Sequence, residues 1–229
     1  MHHFDVARVK GLLFDVDGTL SDTDDRMVHR LEKMIKPLIG SHKDKDIEHL
    51  ARAIVMAMET PANFFYHLAD RLHLDGILSR VYDRFTRSRN EEIAANERFW
   101  IIPEVIPMLD YFHGRLPMAV VSARDERSTR HFLEHFDLLK YFDVVVTSQT
   151  CTHTKPFPDP VIFAARQIGL EPAACVMIGD TIVDMRAGKS AGAQTIGVLC
   201  GFGSQKELER TGANFIVEST ADIQNIILF

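Results

Sequence analysis

Two aspartates two positions apart, Asp15 and Asp17, follow the short apolar run Lys10-Gly11-Leu12-Leu13-Phe14 and precede Gly18-Thr19-Leu20. The run reads as a buried strand, and along a strand side chains at i and i+2 point the same way. Both carboxylates then project together from the strand's carboxyl end. Two clustered anions repel unless something positive lies between them, and a divalent cation meets that need. Other chemistry-bearing residues stand at the ends of later apolar runs. Ser122 closes Met118-Ala119-Val120-Val121, Asp180 closes Cys175-Val176-Met177-Ile178-Gly179, and Asp184 comes four residues on. Lys155-Pro156 lies in the loop between the last two runs. Each has a plain explanation when taken singly: Ser122 as a helix cap, Lys155 as a surface charge, Asp184 as an acid in a first helical turn. Together and in order they point to one site, because the carboxyl ends of parallel strands gather at one edge of a sheet.

The elements that must position these residues alternate. From about residue 102 onward the pattern gives a helix over Pro103–Phe112, a strand over Met118–Ser122 and a helix over Glu126–Phe136. A strand over Val144–Thr147, a helix over Pro158–Ile168 and a strand over Cys175–Asp180 follow. The pattern then predicts a helix over Asp184–Ala191, a strand over Thr195–Val198 and a short helix over Lys206–Arg210. An edge strand at Phe215–Val217 and a last helix near Ile223–Leu228 complete the reading. Continuous apolar strands alternating with helices indicate a parallel sheet covered on both faces. Residues 22–98 differ: four amphipathic stretches recur at helical spacing with no convincing strand. Met27, Leu31, Met34, Ile35 and Leu38 mark the first, and Phe64, Phe65, Leu68 and Leu72 the third. These Met and aromatic stripes read as the core of a helical bundle, or as the lining of a substrate pocket. The expected fold is α/β, a Rossmann-like parallel sheet sandwiched by helices, with an α-helical cap domain inserted after the first strand. The expected domains are a catalytic core of residues 1–20 and 99–229 and a four-helix cap of residues 21–98.

Composition narrows the partners. The 229 residues are 46% hydrophobic, enough to bury one full α/β domain with a second small one. With 26 basic against 32 acidic residues the formal net charge is −6, which argues against a broad nucleic-acid surface or a polybasic membrane patch. Three cysteines, odd in number and without metal-ligand spacing, suit a reducing cytoplasm. No run approaches the length of a membrane span.

With four motifs in hand, the sequence resembles the haloacid dehalogenase superfamily, specifically its phosphatases with a helical cap. Asp15-Val16-Asp17-Gly18-Thr19-Leu20 matches the first motif in full, and Val120-Val121-Ser122-Ala123 resembles the second. Lys155-Pro156-Phe157-Pro158-Asp159 is similar to the third, and Gly179-Asp180-Thr181-Ile182-Val183-Asp184 to the fourth. Beyond these, Gly197-Val198-Leu199-Cys200-Gly201-Phe202-Gly203 looks like the phosphoglycolate phosphatase branch, a look shared by inorganic pyrophosphatases of that branch.

The resemblance implies roles. Asp15 would be the nucleophile that forms an aspartyl-phosphate, and Asp17 the general acid and later the base. Mg2+ would be held by Asp15, by the Asp17 backbone carbonyl and by Asp180, with Asp184 holding a metal-bound water. Ser122 and the Ala123 backbone would bind the phosphoryl oxygens, and Lys155 would pair with Asp15 and the phosphate. Dehalogenases of similar core lack the acid at the position of Asp17, since a halide needs no proton, so dehalogenation is disfavoured. The sequence departs from the pattern after Ser122, where Ala123-Arg124 replaces the usual Asn. Arg124 is either a contact to a second anionic group of the substrate or a salt-bridge partner of Asp125 or Glu126. His153, near the site, reads as a loop hydrogen-bonder, because Asp17 already fills the acid–base role. The implied activity is Mg2+-dependent hydrolysis of a small phosphate monoester, phosphoglycolate phosphatase-like, by a cytoplasmic monomer or homodimer that binds neither nucleic acid nor membrane. A β-phosphoglucomutase-like mutase and an inorganic pyrophosphatase share the core and are the alternatives. A non-catalytic relative is disfavoured because every motif position is intact.

Overall fold

The computed structural model describes residues 4–22 and 99–228. Met1–Thr23 and Phe99–Phe229 form one compact unit, to which all described residues belong. The four helices expected over 22–98, and with them the cap, lie outside the described residues.

Six strands form one parallel sheet: β1 (Gly11–Phe14), β2 (Met118–Val121), β3 (Val144–Val146), β4 (Cys175–Gly179), β5 (Gln194–Val198) and β6 (Phe215–Val217). Their order is β3-β2-β1-β4-β5-β6. The strand after β1 pairs on one side of it and β4 on the other, with Leu12 opposite both Met118 and Val176. The direction in which successive strands are added therefore reverses at β1, the kind of position where open α/β sheets bind ligands. Among the described residues five helices connect the strands: α1 (Val105–Phe112), α2 (Glu126–His135), α3 (Asp159–Gln167), α4 (Ile182–Ala191) and α5 (Gln205–Thr211).

The alternation of side chains along each strand divides the core in two. Leu12, Phe14, Val120 and Ile178 pack with Val105, Met108, Leu109 and Phe112 of α1 and with Phe132 and Leu133 of α2. Leu13, Ala119, Val121 and Met177 pack with Val161, Ala164 and Ala165 of α3 and Ala187 of α4. Both faces are thus covered, as the continuous apolar strands require. The segments leaving β1 and returning to α1 run side by side: Ile102 N–H donates to Leu20 C=O at 3.0 Å and Asp22 N–H to Trp100 C=O at 3.0 Å.

Two expectations change. The carboxyl-terminal segment forms a 3-10 turn over Thr220–Asn225 instead of an α-helix over Ile223–Leu228. Its side chains are pinned inward at separate points: Thr220 Oγ1 donates to Thr19 C=O at 2.6 Å, and Ile223 and Ile227 are buried. The second change is at helix starts: α4 begins at Ile182, two residues early, because Thr181 and Asp184 form a capping box, and α1 begins at Val105 instead of Pro103. No helix among the described residues is long and apolar enough to cross a membrane.

Candidate active site

Asp15 leaves the carboxyl end of β1 and is held in line with the sheet, its N–H donating to Ile178 C=O at 2.9 Å. Asp180 leaves the neighbouring β4, and Asp184 lies in the first turn of α4. All three are buried, and each offers a carboxylate oxygen within 4.8 Å of the others. Lys155, 3% exposed, enters this group from the loop before α3. Its Nζ donates to Asp15 Oδ1 at 2.6 Å and to Asp184 Oδ1 at 2.6 Å. Asp184 turns its other oxygen to the start of its own helix, accepting from Thr181 N–H at 3.1 Å and Thr181 Oγ1 at 2.6 Å. The residue expected to hold a metal-bound water is thereby fixed by a lysine on one oxygen and a helix cap on the other.

Asp180 is placed by glycine. Its Oδ2 accepts Phe202 N–H at 2.8 Å, which requires the Gly201-Phe202-Gly203 loop to lie directly on it. A Cβ at Gly201 or at Gly18 would overlap the Asp180 carboxylate, and one at Gly203 would overlap its carbonyl oxygen. Gly18 also has φ +68, a left-handed conformation that other residues adopt only with strain. The second oxygen, Asp180 Oδ1, is buried without a hydrogen-bond partner. An unsatisfied buried carboxylate oxygen is costly.

The electrostatics follow from burial. Burial raises Asp15 to about 7; the Lys155 ammonium opposes that rise, while Asp184 and Asp17 add to it. Burial and the charges of Asp184 and Asp15 push Asp180 well above the usual carboxylate range. For Lys155, burial favours the neutral amine, yet the carboxylates of Asp15 and Asp184 hold it above its ordinary value. Three acids and one ammonium leave the metal-free site short of positive charge. The unpartnered Asp180 oxygen and the all-oxygen donor set fit a hard divalent cation.

Ser122 lies just past β2, with its N–H donated to Val146 C=O at 2.9 Å, and is buried; Ala123 is exposed beside it. Ser122 Oγ accepts Arg124 N–H at 3.1 Å, which leaves the hydroxyl its own proton to donate. Asp17 stands outside the three-acid group. Its carboxylate forms a bidentate pair with Arg124, Nε donating to Oδ2 at 2.6 Å and Nη2 to Oδ1. Neither neighbour expected to pair with Arg124 does so. Asp125 caps α2 by accepting Ser128 N–H at 3.0 Å, and Glu126 accepts from Arg130 at 3.0 Å. His153 bonds Asp159 at 3.1 Å in an exposed loop.

The sequence reasoning missed three contributors: the Arg124 fork on Asp17, the Phe202 N–H on Asp180 and the Thr181 hydroxyl on Asp184. Only the last has a local signal, the Thr-x-x-Asp spacing of a capping box.

Known proteins carry the same arrangement of sequence. Residues 12–198 match the pattern of haloacid dehalogenase-like hydrolases. The chain is 25% identical over 237 aligned positions to the phosphoglycolate phosphatase of Escherichia coli, covering 94% of this chain and 91% of that one. It is 27% identical over 194 positions to a fructose-1-phosphate phosphatase of Escherichia coli, covering 83% of this chain and 97% of that one. Among solved structures, a haloacid dehalogenase-superfamily hydrolase from Ehrlichia chaffeensis superposes with a TM-score of 0.63 at 21% identity, over 99% of this chain and 97% of that one. With the family pattern spanning most of its length, and the pattern's acids converging at one edge of the sheet, the chain belongs to the haloacid dehalogenase-like hydrolase family.

Proposed function

We propose that this hydrolase is a Mg2+-dependent phosphatase that cleaves a small, soluble phosphate monoester through an aspartyl-phosphate on Asp15, with phosphoglycolate-like esters as its best substrates. The observation that carries the reading is the convergence of Asp15, Asp180 and Asp184 on one buried lysine, Lys155. Asp15, Asp180 and the Asp17 backbone carbonyl would hold Mg2+, with Asp184 holding a metal-bound water. When bound, the ion supplies positive charge that keeps Asp15 ionised and offsets the charge of the phosphoryl group.

The chain's own residues do the rest. Asp15 attacks phosphorus, and the ester oxygen leaves with the bonding pair, taking a proton from Asp17. Lys155 and the Ser122 hydroxyl, with the Ala123 backbone, neutralise and orient the phosphoryl oxygens. In the second half Asp17 takes a proton from the attacking water, the bond between phosphorus and Asp15 breaks, and inorganic phosphate is released. The three unpaired cysteines support work in the cytoplasm, as a monomer or homodimer.

A panel of phosphate metabolites, scored by kcat/KM, tests the assignment. Phosphoglycolate should rank above sugar phosphates, nucleotides and pyrophosphate, and a hexose 1-phosphate should give free phosphate instead of its 6-phosphate isomer. Full-rate hydrolysis of p-nitrophenyl phosphate by chelator-treated enzyme would remove the metal from the scheme.

A further inference from the structure

Arg124 has the geometry of a functional residue and no role in the chemistry above. Its guanidinium meets the Asp17 carboxylate side-on, Nε to Oδ2 at 2.6 Å and Nη2 to Oδ1. This two-point contact fixes the plane of a carboxylate, which a point charge such as lysine does not do. The arginine is itself held. Its N–H donates to Ser122 Oγ at 3.1 Å, and its carbonyl accepts Ser148 N–H at 3.0 Å. The guanidinium carbon lies 5.8 Å from the centre of the Phe132 ring, and that ring is fully buried and packed edge-on against Phe99 and Phe136. The Arg124 side chain is 15% exposed, against 32% for Asp17. The stiffer partner is therefore the arginine, anchored to β2, the turn beyond β3 and the aromatic core; the more open partner is the acid.

The geometry points to Arg124 as a positioning residue for Asp17, holding the carboxyl plane so that one oxygen meets the departing ester oxygen. The inference rests on the reading of Asp17 as general acid. A carboxylate offers about four lone-pair sites, and the fork occupies one on each oxygen. It thereby fixes the directions in which the acid can hold and deliver a proton. In the first half-reaction the phosphorus–ester bond breaks, its electron pair stays on the ester oxygen, and that oxygen receives the Asp17 proton. Asp17 is then a carboxylate paired with Arg124, and it regains a proton from the water that attacks the aspartyl-phosphate. A rotated carboxyl would still carry the proton but would deliver it poorly, since small misplacements of a reacting group are costly in rate.

Leaving-group dependence tests this. In kcat/KM only the steps through departure of the alcohol count, so it isolates the step in which Asp17 donates. A phenol such as p-nitrophenol departs with little help from an acid, whereas a simple alkanol needs a proton. The experiment measures kcat/KM of the full chain with Mg2+ for p-nitrophenyl phosphate and for a simple alkyl phosphate. It compares wild type, Arg124→Gln, Arg124→Lys and Asp17→Asn. General acid catalysis contributes about 10²–10⁴-fold, so Asp17→Asn should depress the alkyl-to-aryl ratio by about that factor. Arg124→Gln should depress the ratio by about 10–10²-fold, and Arg124→Lys should fall between it and wild type. If Arg124→Gln does not fold, as judged by thermal melting, Arg124→Lys carries the test with an expected drop of severalfold. A flat ratio in the arginine variants beside a depressed one in Asp17→Asn overturns the positioning role and leaves Asp17 as the acid. A uniform rise in KM on both substrates, with the ratio kept, would make Arg124 a substrate anion contact and also overturn it. A flat ratio in Asp17→Asn removes the acid assignment itself, and the role of Arg124 with it.

Discussion

Asp180→Asn should make the metal-free protein more stable while destroying its activity. In the buried site Asp180 accepts one hydrogen bond, from Phe202 N–H, and its other oxygen has no partner. An asparagine keeps the accepting oxygen and places an amide donor where the unpartnered oxygen lies. Two unit charges 4.8 Å apart repel by about 3 kcal/mol at an effective dielectric of about 20. The change removes the repulsion of Asp180 with two acids, discounted because their raised values leave them partly protonated, for a net gain of about 2–4 kcal/mol. That corresponds to a rise in Tm of order 10 °C for a chain of this length. The gain should depend on pH with a definite sign. A carboxyl whose folded pKa is raised contributes stability that is lost as pH rises through that value, which for Asp15 is about 7. Asp180 is also raised. At pH about 5, below the Asp15 value, Asp15 is largely protonated, so the two proteins should melt close together; by pH about 8 the variant should lead. Melts in chelator at both pH values, repeated with Mg2+, provide the assay. Mg2+ should raise the wild-type Tm and leave Asp180→Asn unmoved. A variant less stable than wild type at pH 8 without metal would refute the reasoning, as would an equal response of both proteins to Mg2+.

Asp15→Asn should lower phosphatase kcat below detection with a melting curve close to wild type; substantial residual turnover removes Asp15 as nucleophile. Gly201→Ala should weaken the Mg2+ response by about tenfold or more, because its Cβ overlaps the Asp180 carboxylate; a Mg2+ titration of activity reads this. Cation affinity should rise with pH through about 7, by about tenfold or more per pH unit below it, because Asp15 and Asp180 must lose their protons to bind. Calorimetry in two buffers of different ionisation enthalpy should show proton release in that window, and an affinity independent of pH would refute it.

Much of the site was legible in the sequence because the relevant signals are local and the topology sums them. Gly11–Phe14 and Cys175–Gly179 read as buried strands on composition alone, and a parallel sheet carries Asp15, Asp180 and Ser122 to one edge without further information. What stayed hidden depends on approach across long separations. The pair of Asp17 with Arg124 spans 107 residues, and a charged side chain after a strand carries no mark of its partner, so the neighbours Asp125 and Glu126 looked equally suitable. Gly201 and Gly203 resembled a family signature, but only packing reveals that they make room for Asp180. The end of the chain was misread for a related reason. Ile223, Ile226 and Ile227 have helical spacing, yet Thr220 is tied to Thr19, and that tertiary bond outranks a weak local pattern.

The arrangement of charge explains why one lysine and one arginine stand where they do. Lys155 touches Asp15 and Asp184 but not Asp180, so the three acids, once ionised, would carry two negative charges in excess, the amount a divalent cation cancels. Arg124 neutralises Asp17 separately, outside that group. If the two cations exchanged roles, an arginine among the buried acids would spread its charge over a rigid fork and fill the space that a metal needs. A lysine on Asp17 would balance the charge without fixing the carboxyl plane. On the proposed chemistry, a compact charge lies where phosphate and metal would be held together, and a planar one where a proton would be aimed. Arg124→Lys, expected to keep the charge and lose part of the aim, separates these two demands in a single substitution.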